Sequence, residues 1–175
     1  RTITGNYMPK FTYGFSTEMK YKNLDLAVSL QGVQGNKIAN IFRRYIDNME
    51  GGNNCQIDAL DRWVSEDDPG SGLVVRANRS ATGMNGTTST WHIEDGSYLR
   101  IKNITLGYTL PKDWLSNVGI NHLRVYLSTQ NPFTFTKYSG YNPEVNMKGN
   151  SLTPGIDYGT YPLAKSFVFG LNVTF

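Results

Sequence analysis

Apolar and polar residues alternate along five stretches of this chain, and the parity of that alternation predicts its architecture. In residues 9–22, Phe11, Tyr13, Phe15, Met19 and Tyr21 occupy odd positions, while Thr12, Ser16, Glu18, Lys20 and Lys22 occupy even ones. That is the period of two expected of a strand with one apolar face. Residues 24–32 continue it with Leu24, Leu26, Val28 and Leu30 against Asp25, Ala27, Ser29 and Gln31. The short link at Lys22-Asn23 predicts a hairpin, with Glu18, Lys20 and Asp25 on its wet face. Residues 97–110 alternate with a slip: Leu99 and Ile101 are odd, but Ile104, Leu106, Tyr108 and Leu110 are even. A β-bulge near Lys102-Asn103 would keep both halves facing the same way. Residues 122–136 alternate through Leu123, Val125, Leu127, Phe133 and Phe135, and residues 165–175 through Phe167, Phe169, Leu171, Val173 and Phe175.

Two long interruptions separate these strands. Within residues 33–96, Ile38, Ile41, Phe42, Tyr45, Ile46 and Met49 fall at helical spacing, which predicts one short amphipathic helix over about 36–49. The remainder reads as loop, with EDDPGSG at 66–72 and NGTTS at 85–89. Residues 137–164 form the second irregular stretch. Connections therefore run short, long, short, long, and in an antiparallel meander every short turn then lies at one end of the sheet and every long loop at the other. Strands of these lengths exceed the usual globular mode of about 5 to 6 residues and match the roughly 9 to 11 needed to cross a bilayer obliquely. Short turns at one end and long loops at the other are the pattern of transmembrane barrels. The fold class expected is all-β: an antiparallel, up-and-down segment of a transmembrane β-barrel, with residues 1–175 as part of one barrel domain and 33–96 and 137–164 as external loops. The competing reading is a soluble β-sandwich, such as a carbohydrate-binding module, whose apolar faces would meet in a core.

Composition adjusts this picture in a few places. Aromatic residues make up 13% of the chain and there are 18 glycines, which suits strands joined by turns. Phe11, Tyr13, Phe133, Phe135, Tyr138 and Phe167 would cluster at the long-loop end, and Tyr21, Tyr108, Trp114 and Phe175 at the other, like the two aromatic girdles of a barrel. A net charge of +3 argues for no nucleic-acid partner. The single cysteine, Cys55, allows no internal disulfide and no metal-ligand spacing. No apolar run is long enough for a transmembrane helix, which does not weigh against a barrel, whose apolar residues alternate with polar ones.

Catalytic chemistry is not indicated. His92 and His122 are the only histidines, and neither has a nucleophile or carboxylate at a diagnostic spacing. The acidic run Glu66-Asp67-Asp68 lacks the spaced ligands of a calcium loop, so no metal and no cofactor is expected. Trp91, Tyr98, Tyr141 and Tyr161 lie in or beside the long loops and are the candidate contacts to substrate or partner, with loop packing as their alternative role. Glu18, Lys20, Arg100 and Arg124 would line the lumen. The chain opens without an initiator Met or export signal and reaches strand-like sequence within a few residues. It is expected to begin inside a larger polypeptide.

Several long motifs, in order, resemble one family. DGSYLRIKNITLGYTLP at 95–111, LRVYLSTQNPFTFTKYSGYNPEV at 123–145 and GIDYGTYPLAKSFVFGLNVTF at 155–175 are similar to the carboxyl-terminal third of SusC/RagA-type TonB-dependent outer-membrane transporters. GNYMPKFTYGFSTEMKYKNLDLAVSLQGVQGNKIAN at 5–40 and the DRW at 61–63 fit the preceding hairpin and loop. The resemblance implies a barrel of about 22 strands closed by an amino-terminal plug, of which these would be the last five, in the bacterial outer membrane. It implies import of glycan or peptide fragments beneath a SusD-like surface lipoprotein. Energy would come from the TonB complex through the amino-terminal region, which these residues do not include. Phe167, Phe169, Leu171, Val173 and Phe175 match the terminal signal that the outer-membrane assembly machinery reads in such barrels, and would afterwards pack against membrane lipid.

Overall fold

The computed structural model describes residues 2–50, 52, 54–79, 88–116, 119–145 and 154–175. The stretches at 80–87 and 146–153, within the two long connections, and residues 117–118 lie outside the described residues. The elements in chain order are β1 (Phe11–Tyr21), β2 (Leu24–Gln34), β3 (Lys37–Asn40), α1 (Ile41–Asp47), β4 (Ile93–Asp95), β5 (Tyr98–Thr109), α2 (Lys112–Leu115), β6 (His122–Thr136), β7 (Ile156–Asp157) and β8 (Ser166–Thr174). Turns of 3-10 helix occupy Ile57–Asp61 and Thr90–His92. The chain divides into two compact units, one of residues 9–35, 97–137 and 162–175, the other of residues 1–8, 36–96 and 138–161.

The first unit is a five-stranded antiparallel sheet in the order β1-β2-β5-β6-β8. Lys22 adopts a left-handed φ of 53° in the tight turn between β1 and β2, where the chain must reverse within two residues. The pairing places one row of side chains opposite the next without a change of face: Met19 opposes Leu26, Leu26 opposes Leu106, Leu106 opposes Leu127, and Leu127 opposes Phe169. A parallel row runs Tyr21, Leu24, Tyr108, Val125, Leu171. The other face is largely polar, and its side chains bond across strands. Asp25 takes two hydrogen bonds from the Arg124 guanidinium, at 2.9 and 2.5 Å. Asn103 donates to Ser128 at 3.2 Å, Thr105 and Ser128 are 2.8 Å apart, and Ser16 and Ser29 are 3.1 Å apart. Arg100, only 1% exposed, donates to Thr134 and lies over the Tyr98 ring.

Continuity of the two faces depends on the bulge the parity slip predicted. Ser29 opposes Asn103 and Leu30 opposes Ile101, so Lys102 is the extra residue on β5. On the other side of β5 the register also jumps, from Ile101 opposite Phe133 to Asn103 opposite Gln130. The intervening Asn131 takes a φ of 50°, and Pro132 has no N–H to give to the ladder.

Two glycines let a tyrosine ring lie flat against a neighbouring strand. Gly32 is directly opposite Tyr13 and Gly170 directly opposite Tyr126. A Cβ at either glycine would fall within 2.1 or 2.3 Å of the facing ring. The first pair is on the apolar face and the second on the polar one.

Among the described residues, nothing covers the apolar face. Phe15 is 58% exposed and Phe169 71%, and Met19, Phe133, Phe135 and Leu171 are exposed as well. Burying one such side chain is worth about 1.5–3 kcal/mol, and soluble monomers rarely leave an apolar patch beyond a few hundred Å² open to water. A sandwich core would have buried this face, so that reading falls.

The second unit holds a small sheet in the order β4-β3-β7, with β4 antiparallel and β7 parallel to β3. Ile38, fully buried, packs with Tyr138 and Val145. The expected helix over 36–49 is corrected here: residues 37–40 are strand, and helix begins only at Ile41. Burial alternates along β3, with Ile38 and Asn40 in and Lys37 and Ala39 partly out, and the Asn40 side chain accepts from the Arg43 N–H at 3.0 Å, capping α1. Tyr138 also departs from expectation. It is buried in this unit, where its hydroxyl donates to Asp157, and takes no part in an aromatic girdle.

The bulge is testable in the full-length protein. Replacing Lys102 by Ala should change stability by less than about 0.5 kcal/mol, because the side chain is exposed. Deleting Lys102 should leave little or no folded protein, since half of β5 would turn its apolar side chains to the polar face. Equal unfolding midpoints for the two variants would show that the bulge does not hold the faces in phase.

Candidate functional site

The second unit contains a cleft of about 590 Å³. One wall comes from the end of α1 and the residues after it, with Arg43, Ile46, Asp47 and Met49; another comes from the 3-10 turn bearing Asp58 and Asp61. Leu73, Val74 and Val75 close a third side, and Trp91 and His92 a fourth. Gly70 brings the third wall close to the 3-10 turn: its φ is 58°, and a Cβ there would fall 2.3 Å from the Asp61 carbonyl oxygen. The segment is then held by a backbone bond from Trp63 to the Val74 carbonyl and by Asp61, which accepts from the Ser71 N–H at 3.0 Å.

Arg43 organises the polar side of the cleft. Its Nε donates to Asp47 one helical turn on, at 2.6 Å, and its guanidinium lies 4.4 Å over the Trp91 ring. Glu94 is 3.6 Å from the same guanidinium and accepts from Asn40, from the Ser139 N–H and from the Ser139 hydroxyl. Arg43 is therefore compensated, and one face of Trp91 is taken. His92 is 4% exposed, and its Nδ1 accepts from the Ser89 N–H at 3.1 Å, which puts the ring proton on Nε2. Burial, reinforced by the charge of Arg43, holds this imidazole below its usual pKa, so it is neutral.

The four loop aromatics singled out from the sequence are not brought together. Trp91 lines the cleft, partly exposed. Tyr141 and Tyr161 are well exposed and are not among its lining residues. Tyr98 is 5% exposed at the start of β5 under the Arg100 guanidinium. Phe167, Phe169, Leu171 and Val173 project from β8 on the apolar face, all exposed, and Phe175 follows at the end of that row. Sequence reading passed over Arg43 and His92 as cleft residues. The i, i+4 spacing of Arg43 and Asp47 was visible, but nothing local tied it to Trp91. Among the described residues, no three His, Cys, Asp or Glu side chains gather to hold a metal ion.

No family model matches the chain. It is 34% identical over its whole length to TonB-dependent receptor P3 of Formosa agariphila, and 31% identical over 93% of its length to the TonB-dependent receptor SusC of Bacteroides thetaiotaomicron. The solved RagAB peptide transporter superposes on 99% of the chain with a TM-score of 0.79 at 29% identity. The chain is similar over its whole length to a segment of SusC/RagA-type TonB-dependent receptors. It spans 17% of the first of these relatives, 15% of the second and 18% of the solved transporter chain. The five-stranded sheet fits a piece of barrel wall, with β1 and β8 as its outer strands.

The second unit is tied across its long connection by Tyr138 and Asp157. Burial and the bond to Asp157 push the Tyr138 hydroxyl far up, so it stays protonated. Burial also works to raise Asp157, but the bonds from Tyr138 and from the Thr160 and Gly159 N–H groups outweigh it and hold the carboxyl below its usual 3.8. A carboxyl lowered on folding adds stability that is fully present above that usual value and is lost as pH falls through the lower folded one. In the full-length protein, Tyr138→Phe should destabilise this unit by about 1–3 kcal/mol, and acidification below pH ~4 should loosen it in the wild type. Amide exchange at Ile38 and Asp157 measures both, and unchanged protection in the variant would refute the tie.

Proposed function

We propose that this chain is the carboxyl-terminal barrel wall and external-loop portion of an outer-membrane importer of glycan or peptide fragments. The observation that carries the reading is the apolar face, whose rows from Met19 to Phe169 and from Tyr21 to Leu171 cross all five strands, backed by a largely polar face of cross-strand hydrogen bonds. A lipid-facing exterior and a polar lumen ask for that partition. The strand lengths, 9 to 15 residues in the main sheet, suit an oblique crossing of the hydrocarbon layer.

In this reading residues 33–96 and 137–164 are external loops of one barrel domain. They meet a SusD-like lipoprotein and the cargo, with Trp91, Tyr141 and Tyr161 offering exposed aromatic faces. The partnership is supported by the similarity to the RagAB transporter, and the class of activity by relatives that are receptors and transporters rather than enzymes. TonB would act through the amino-terminal region of the longer protein. Phe167, Phe169, Leu171, Val173 and Phe175 form the row the assembly machinery would read before lipid covers it.

Full-length protein should sediment with outer membranes and need detergent for release, and recovery in the soluble fraction would end the importer reading. Arg at Phe169, on the apolar face in mid-strand, should cost about 2–4 kcal/mol of barrel stability, whereas Arg at Glu18 on the polar face should cost little. Equal losses would mean that the two faces do not divide lipid from lumen. Phe175→Asp should sharply reduce inserted barrel on immunoblots of outer membranes. Wild-type levels of inserted Phe175→Asp protein would remove the assembly role.

A further inference from the structure

The cleft of the second unit combines three features that call for a ligand of one kind. Ile46, Met49, Leu73, Val74 and Val75 give it an aliphatic side, set against a polar one that includes Asn48 and Gln56, and Leu73 is 64% exposed. Its charge is one-sided: Arg43 is compensated by Asp47, while Asp58 and Asp61 have no ion-pair partner among the described residues. Its one deeply buried polar ring, His92, spends Nδ1 on Ser89 and has no hydrogen-bond partner for the Nε2 proton among the described residues. A neutral imidazole N–H at the wall of a cleft is a donor waiting for a carbonyl oxygen.

Sugars are poorly served by such a place. Against the aliphatic side of the cleft their hydroxyls would lose water without replacement, and Trp91, the one indole or phenyl ring among the described lining residues, already carries Arg43 on a face. An apolar side chain fits the aliphatic side, an ammonium group answers two carboxylates that have no ion-pair partner among the described residues, and a backbone carbonyl answers His92. We infer that this cleft binds a short peptide through an apolar side chain, its free amino terminus placed at Asp58 and Asp61 and an amide oxygen at His92. The inference deepens the importer reading by choosing peptide over glycan. It places the contact within residues 43–92 of the second unit.

The test uses detergent-purified full-length protein and three probes: tri-leucine, N-acetyl-tri-leucine and maltotriose, followed by calorimetry. Tri-leucine should bind, N-acetylation should weaken it about tenfold, and maltotriose should give no heat. Asp58→Asn removes an exposed carboxylate without a structural partner and should lower tri-leucine affinity to that of the acetylated probe; Leu73→Lys should abolish binding. A photo-reactive tri-leucine should label residues in 46–49, 73–75 or Trp91. Labelling confined to other parts of the protein, indifference to both substitutions, or maltotriose binding that Asp58→Asn weakens would each overturn the inference. Because these readouts need no membrane, they stand or fall separately from fractionation, which judges the importer reading alone.

Discussion

The hydrogen-bonded pairing of β5 with β2 and β6 on either side of Lys102 is the constraint on which the rest of this chain depends. A strand presents its residues alternately to two faces, so one unmatched residue would turn every later apolar side chain to the wrong side. The bulge absorbs that residue. As a result Leu99 and Ile101 before it, and Ile104 and Leu106 after it, point the same way. The exterior row and the polar ladder of Asn103, Thr105 and Ser128 both exist because of this local irregularity.

The wall was legible in the sequence because its code is local. Period-two alternation, the parity slip at Lys102 and the loop lengths are all read within one strand or one turn, and the five strands end within two residues of their expected limits. The second unit was less legible because its order is made by partners far apart. Ile38 and Ile41 have helical spacing, but β3 forms because β4, more than fifty residues later, pairs with Lys37, Ile38 and Ala39. Tyr138 looked like one more girdle aromatic from its neighbours. Its environment is decided by Asp157 and by Ile38, neither of which is nearby in the chain. The cleft likewise joins residues 43 to 92, and no window of sequence contains Arg43 together with Trp91.

The two units handle polar groups in opposite ways. On the sheet, hydroxyls, amides and the Asp25–Arg124 pair lie on a partly exposed surface and bond sideways along it. In the second unit, Glu94 and Asp157 each accept from several donors in partly or fully buried positions, with Asn40 and Ser139 donating to Glu94, and an unpaired buried group is costly. Such a network gives a long connection a defined shape with few apolar residues, and a defined shape is what a surface meeting other molecules requires.

The tyrosines lying on Gly32 and Gly170 have a consequence that alternation cannot supply. A strand that slips by two residues keeps its apolar side outward and its ladder formed, so hydrophobic pattern is blind to that error. Such a slip would set Tyr13 against Leu30 or Gln34, and Tyr126 against Val168 or Asn172, each with a Cβ where the ring now rests. The glycines act as keyways, one on each outer pairing of the sheet. They let shape count residues in the two outer strands, each of which pairs on one side only among the described residues.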